Sequence, residues 1–525
     1  MEYIYIIYII LFVVLCFFAF KATAIWHLRL SMFFLIVFMF VWRLDFWYAT
    51  MPMGDEAEWL SLVSRLDTCH TPFLCFNSST SGFLSIWILA LMQKLGFGLD
   101  YFSLRAFGFL FFIIPSVILM FEGILVKYCF NTLKFTFPWL GVLMIFSFYN
   151  AEFLTYNTEY QVMFFLSAFF YCLVKFFKSN EKSHQFNKKY LWLTCLLLGI
   201  LPHIKIQTVP IVFSAYISIL YTFLKDKKYI VVGLSIFIML IPTMFFLSYF
   251  YVSGILNDFY TMFLKANTNN LNNRISTYKY ADQEWLHRLR AFKGMHLTTF
   301  GPIYTAFCSS ILLFFKRPRI WFNTLLKIEL QYVIIFIFTC YATYASGNGF
   351  GHYNILLLVP VIYLISSFIN NLLSNLKNHK ILSIYTVLAV LYPVSLYCGR
   401  ADFKRKTENS GVTQVELFLK GDKFKSKSIM FLGWHKAIDL QLRLKRSLIG
   451  RNPTYQYITI ENAELRDYYH RGFISDIEIE KPDFIVDTEF VLDMPNCTRL
   501  NKRVNNLYYL DTAIEGNLIY SIKSK

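Results

Sequence analysis

Charge is scarce in this chain: Asp, Glu, Lys and Arg fill only 16% of its 525 positions, against 56% hydrophobic and 19% aromatic residues. That balance excludes an ordinary soluble protein. No CxxC pair and no His/Cys cluster occurs, so nothing in the sequence argues for a metal, and no cofactor is expected. The first apolar run, 3–20, has no basic region ahead of it and no small-residue cleavage site behind it, so a retained helix is expected rather than a signal peptide. Internal repeats and low-complexity tracts are also missing.

What is present is a series of apolar runs close to the ~20 residues that a helix needs to cross a bilayer. Twelve spans are expected, at 3–20, 30–48, 106–126, 135–149, 160–177, 190–201, 209–224, 230–252, 300–315, 328–345, 353–369 and 381–398. The segment 83–95 is short and carries Gln93 and Lys94, so it is read as an interfacial helix. The net charge of +17 lies largely in Lys and Arg between apolar runs. The positive-inside rule accounts for such charge, and nucleic acid is not implied.

The same rule orients the chain, because the 21–29 linker is positive and the segment after the second run is net negative. Segments 49–104, 150–159, 202–208, 253–299 and 346–352 then lie outside, as does the tail from Gly399. The tail changes composition, with strand-like runs at 428–432 and 484–486 between turn signals. A transmembrane domain, 1–398, followed by a small soluble α/β domain, 399–525, is expected.

Six of the ten cysteines, Cys16, Cys129, Cys172, Cys195, Cys308 and Cys340, lie in or beside apolar runs and serve as small hydrophobes. Cys69, Cys75, Cys398 and Cys497 fall in polar segments. A Cys69–Cys75 bridge would close a small loop in an oxidising compartment, and a Cys398–Cys497 bridge stays open beside it.

Four elements carry candidate chemistry. The stretch MPMGDEAEWL puts Asp55 and Glu56 side by side after an apolar run. On a helix the two point ~100° apart and cannot both face one atom. Asp55 also suits an N-cap, an explanation at least as good as catalysis for that residue alone. At the second outside turn Glu159 stands at the lip of a span and Glu152 precedes it, where a carboxylate is costly unless solvated, paired or functional. Lys205 lies in an outside turn where orientation gives no reason for a cation. The 253–299 loop adds more cations, Arg288 and Arg290 among them, and cations placed there invite a phosphate or an anionic headgroup. Last, Ser346-Gly-Asn-Gly-Phe-Gly-His-Tyr runs through three glycines into His352 and Tyr353 at the start of a span.

Taken in order, these elements resemble the GT-C superfamily of integral-membrane glycosyltransferases, which includes protein O-mannosyltransferases and the aminoarabinose transferases of lipid A. The stretch Phe97-Gly-Leu-Asp-Tyr-Phe-Ser-Leu-Arg105 and the His352-Tyr353 turn before a span with Pro360 belong to the same pattern, and the resemblance covers about 30–400. Two features depart from it: the extra first helix, and Glu159 where an Asp is often found. The compact tail and the Phe/Ile/Tyr/Lys/Asn-rich composition are also similar to serotype-converting O-antigen glucosyltransferases.

The resemblance implies inverting transfer of a hexose, glucose in the narrower match, from an undecaprenyl-phosphate donor to a hydroxyl of O-antigen or lipopolysaccharide. The reaction would lie at the periplasmic face of a bacterial inner membrane, with a flippase and a donor-synthesising enzyme as partners. Asp55 would be the base, Glu56 its substitute, and Glu159 would orient the acceptor or share the proton. Lys205, Arg105, His352, Arg288 and Arg290 would meet the donor phosphate, and Glu152 and Tyr353 the acceptor. Protein or lipid A as acceptor is the nearest alternative. A lipid-linked-sugar flippase is the alternative of another class, and it would need charge inside the spans. There Glu122 and Lys175 lie near inner ends and are expected to snorkel or be solvated.

Overall fold

Runs of Leu, Ile, Val and Phe with no water to satisfy their backbone fold as helices, which close every hydrogen bond internally. The computed structural model describes residues 2–47, 54–77, 81–146, 155–183, 188–225, 227–268, 327–344, 351–375, 413–433, 435–452 and 462–523. Among these, five helices are long and apolar enough to cross a membrane: Tyr101–Lys127, Glu159–Ser179, Ile206–Lys225, Tyr229–Val252 and His352–Ser374. Shorter apolar helices occupy Ile10–Lys21, Ile25–Val41, Phe83–Lys94 and Leu330–Thr343. The expected spans at 300–315 and 381–398, and the expected domain boundary at 398/399, lie outside the described residues.

The chain forms two compact units. One draws on Met1–Tyr48, Gly108–Phe245 and Tyr278–Lys406, and its described elements are all helices. In it the Glu159–Ser183 helix packs on Ile114–Lys127, on Lys188–Ile204 and on Ile355–Asn375. Phe170 stacks on Tyr363 with ring centroids 4.7 Å apart. Gly123 makes this approach possible, since a Cβ there would meet the Tyr363 hydroxyl at 2.1 Å. Glu122 is partly exposed and ion-paired: Arg29 Nε donates to its Oε1 at 3.0 Å and Nη2 to its Oε2 at 3.2 Å.

The other unit draws on Ala49–Phe107, Phe246–Thr277 and Thr407–Lys525. Its first segment holds the helix Gly54–Arg65 and a loop closed by a Cys69–Cys75 disulfide, while Cys497 is a buried free thiol. Phe73, inside that loop, has φ of 63° and is 1% exposed. The rings of Phe83, Phe250, Phe259 and Phe263 surround it and hold the uncommon left-handed backbone in place.

The C-terminal segment contributes a four-stranded mixed sheet, order β1-β2-β4-β3, from β1 (Ile429–Leu432), β2 (Phe484–Asp487), β3 (Tyr508–Ile514) and β4 (Asn517–Ile522). β1 and β2 pair in parallel, Ile429 opposite Phe484, and β2 and β4 pair antiparallel. β3 and β4 form a hairpin whose two turn residues, Glu515 and Gly516, both have positive φ, the geometry that matches strand twist. Val415, Leu419, Phe424, Ile429, Leu440, Phe484, Val486 and Ile519 make its core.

This segment is bonded to the first segment of its own unit. The helix His435–Arg443 packs on Gly54–Arg65, with Ser61 Oγ donating to Gln441 Oε1 at 3.0 Å. Arg65 pairs with Glu480 at 2.5 Å, and the Asn77 N–H donates to the Arg451 carbonyl at 2.8 Å.

Candidate active site

The acidic pair opens a helix, where two carboxylates in the first turn face the positive end of the backbone dipole. The turn separates them as its geometry requires: Asp55 is exposed and Glu56 is fully buried. Arg105 answers the buried charge, its Nε donating to Glu56 Oε1 at 2.8 Å and its Nη2 to Oε2 at 2.5 Å. Such a bidentate pair is the strongest form of charge-assisted bond. The Phe97 to Arg105 stretch shapes the helix that carries the arginine. Asp100 accepts from the Ser103 N–H at 2.8 Å and hydroxyl at 2.9 Å at the start of Tyr101–Gly108. A Cβ at Gly98 would strike the Asp100 carboxylate at 2.4 Å, so the glycine makes room for the capping side chain.

Tyr101, one helical turn before Arg105, places its ring 5.7 Å from the guanidinium carbon, and its hydroxyl donates to Asp439 Oδ1 at 3.3 Å. Burial pushes the Asp439 carboxyl above its usual range, and Arg443, with Nε 2.8 Å away, offsets only part of that.

A second cluster lies in the helical unit, where three turns that the sequence singled out meet. Glu159 begins its helix and is 1% exposed. Lys205 stands in extended backbone between the helix Lys188–Ile204 and the short turn Ile206–Thr208, and its Nζ donates to Glu159 Oε1. His352 Nε2 lies 3.7 Å from the same oxygen, carried by the turn Gly351–Asn354. The Tyr353 ring backs the Lys205 ammonium at 5.0 Å. Lys205, His352 and Tyr353 are all buried. The Lys205 ammonium and the His352 ring thus meet at one carboxylate oxygen. Glu152, Arg288 and Arg290 lie outside the described residues.

Arg43 is a residue that the sequence reading passed over. It is 2% exposed on the helix Ile25–Trp47, donates to the Tyr160 hydroxyl at 3.2 Å, and lies over the rings of Phe109 and Tyr160 at 5.6 and 5.5 Å. The signal was available, because an arginine inside an apolar run is expensive and seldom idle. Among the described residues, no group of three His, Cys, Asp or Glu could hold a metal ion.

The arrangement of helices has a counterpart among solved structures. ArnT from Cupriavidus metallidurans, bound to undecaprenyl phosphate, superposes with a TM-score of 0.54 over 93% of this chain and 97% of that one, at 10% identity. The chain has the fold of ArnT. The polytopic helical architecture expected from the motifs is therefore present, in the arrangement seen in ArnT. At 10% identity the likeness to ArnT is one of fold, and the roles of individual residues rest on this chain's own geometry. No protein-family model and no curated protein matches the sequence.

Proposed function

We propose that this protein is a GT-C glycosyltransferase that moves a hexose from a polyprenyl-phosphate donor to an acceptor hydroxyl. The observation that carries this reading is the ArnT fold, seen there with undecaprenyl phosphate bound. The buried Glu159, Lys205, His352 and Tyr353 cluster adds to it a place suited to a phosphate.

In this reading Asp55 takes the acceptor hydroxyl proton, the acceptor oxygen bonds to the anomeric carbon, and the bond from that carbon to the phosphate oxygen breaks. The electron pair leaves on the polyprenyl phosphate, and single displacement inverts the anomeric centre. A positioned base contributes ~10²–10⁴-fold. Glu56 suits the base less well than Asp55, since both its oxygens accept from Arg105. Arg105, taken from sequence for a phosphate ligand, serves in this reading to fix Glu56. The leaving group is already an anion and needs charge stabilisation more than a proton, which Lys205 and His352 would supply.

The acceptor we favour is O-antigen or lipopolysaccharide, the hexose glucose, and the location the periplasmic face of a bacterial inner membrane. The basic inside loops and the similarity of tail and composition to serotype-converting enzymes support these choices. The test compares surface polysaccharide, by methylation analysis and NMR, from cells with the intact gene, without it, and with Asp55→Asn. A glycosyl branch that needs the intact protein and disappears in a well-expressed Asp55→Asn variant is expected. Substantial transfer by Asp55→Asn removes Asp55 as the base, and label on protein or lipid A moves the acceptor.

A further inference from the structure

The C-terminal segment reaches the acidic pair through a connected series of side chains within one compact unit. Arg443 Nη1 lies 3.6 Å from Glu416 Oε2, and its Nε lies 2.8 Å from Asp439 Oδ2. The other Asp439 oxygen accepts from the Tyr101 hydroxyl at 3.3 Å. The Tyr101 ring backs Arg105, and Arg105 grips both oxygens of Glu56, next to Asp55 on the first turn of its helix. A second anchor lies further along the same two helices, where Ser61 donates to Gln441, both of them buried.

We propose that Asp439 is a positioning residue for the acidic pair: by holding the Tyr101 hydroxyl it fixes the ring that backs Arg105, and with it the turn carrying Asp55 and Glu56. The inference rests on the proposed function for the claim that this turn works in catalysis. The linkage itself rests on the contacts alone. It assigns the tail a task, which is to set the geometry of a helix far away in sequence. Asp439 needs no contact with substrate to do so. Arg443 aims the Asp439 carboxylate, and Glu416 in turn steadies Arg443.

The series makes a prediction that a general loss of fold would not. If Tyr101 and Asp439 act through one hydrogen bond, removing either end has the same effect, and removing both adds nothing. The full-length protein in lipid nanodiscs, wild type, Tyr101→Phe, Asp439→Ala and the double variant, would be assayed with a labelled undecaprenyl-phosphate hexose and the cell's own polysaccharide. Amide hydrogen exchange across residues 55–65 would be followed in the same samples. Each single variant is expected to lower kcat about tenfold with KM for the donor unchanged, and the double variant about tenfold rather than about a hundredfold. Exchange across 55–65 is expected to rise alike in all three. Multiplicative losses in kcat, a change confined to KM, or unaltered exchange in 55–65 would overturn the proposal. Should the wild type transfer nothing from any polyprenyl-phosphate hexose, the proposed function falls, and the exchange data alone decide the linkage.

Discussion

Replacing Lys205 by Met separates what the buried cluster does for stability from what it does for a ligand. The Lys205 and Glu159 side chains are 4% and 1% exposed, so the substitution strands a carboxylate that solvent barely reaches. Removing one member of a buried pair costs about 3–5 kcal/mol. Coulomb's law gives about 4 kcal/mol for unit charges ~4 Å apart at an effective dielectric of ~20. The two routes agree. Glu159→Gln combined with Lys205→Met removes the stranded charge, leaves a neutral amide that can still hydrogen-bond, and should recover most of the loss. Melting of the purified protein in detergent, with and without undecaprenyl phosphate, is the assay. A ligand at 100 times its dissociation constant stabilises by about 2.7 kcal/mol. Wild type should gain this increment, while the double variant should melt close to wild type alone and gain almost nothing from the lipid. A double variant stabilised by undecaprenyl phosphate as much as wild type would refute the assignment of Lys205 to the phosphate. A single variant costing under about 1 kcal/mol would refute the reasoning about the buried pair.

The Glu56–Arg105 pair should respond in the same sense. Arg105→Met should lower stability by about 3–5 kcal/mol, and adding Glu56→Gln should restore much of it, both read from the melting temperature. The Cys69–Cys75 bridge spans a sequence separation of 6. Its replacement by two serines should cost about 2 kcal/mol by loop entropy, and reductant should destabilise wild type but not that variant. Partial burial works to raise the Asp483 carboxyl, but bonds from the Ser428 N–H and hydroxyl and from Lys427 outweigh it and hold it below its usual range. A depressed acid stabilises the fold above its unfolded pKa and loses that contribution as pH falls below ~4. Asp483→Asn should therefore flatten the acid limb of a stability curve, and parallel curves for the two proteins would refute it.

Much of the helical cluster was legible because its members break local rules. Glu159 is an acid at the lip of a span, Lys205 a cation without an orientational reason, and His352-Tyr353 follows a glycine-rich turn, so each stands out from its neighbours. The strand-like runs in the tail were legible for a similar reason, as short β-branched and aromatic stretches between turn signals, and β1 and β2 fall on them. Partnership was not legible. Nothing in the first acidic stretch marks Glu56 as the inward carboxylate, because the choice depends on an arginine 49 residues away. Arg43 was hidden by the apolar run around it, where hydrophobicity averaged over a window outweighs one charge. The seam between tail and first loop joins residues hundreds of positions apart, and periodicity within either segment carries no trace of the other.

That seam also sets a timetable. Ser61 and Gln441 lie 380 residues apart. At synthesis rates of ~5–20 residues per second, the helix bearing Asp55 and Glu56 emerges roughly 20–80 s before the segment that packs on it. The helix must wait without that partner while most of the polypeptide is still to be made. Competence would then arrive late and all at once, when the last hundred residues close over a helix threaded among the first, and a nascent chain cut short before Gln441 would carry every candidate catalytic group without the frame that aligns them.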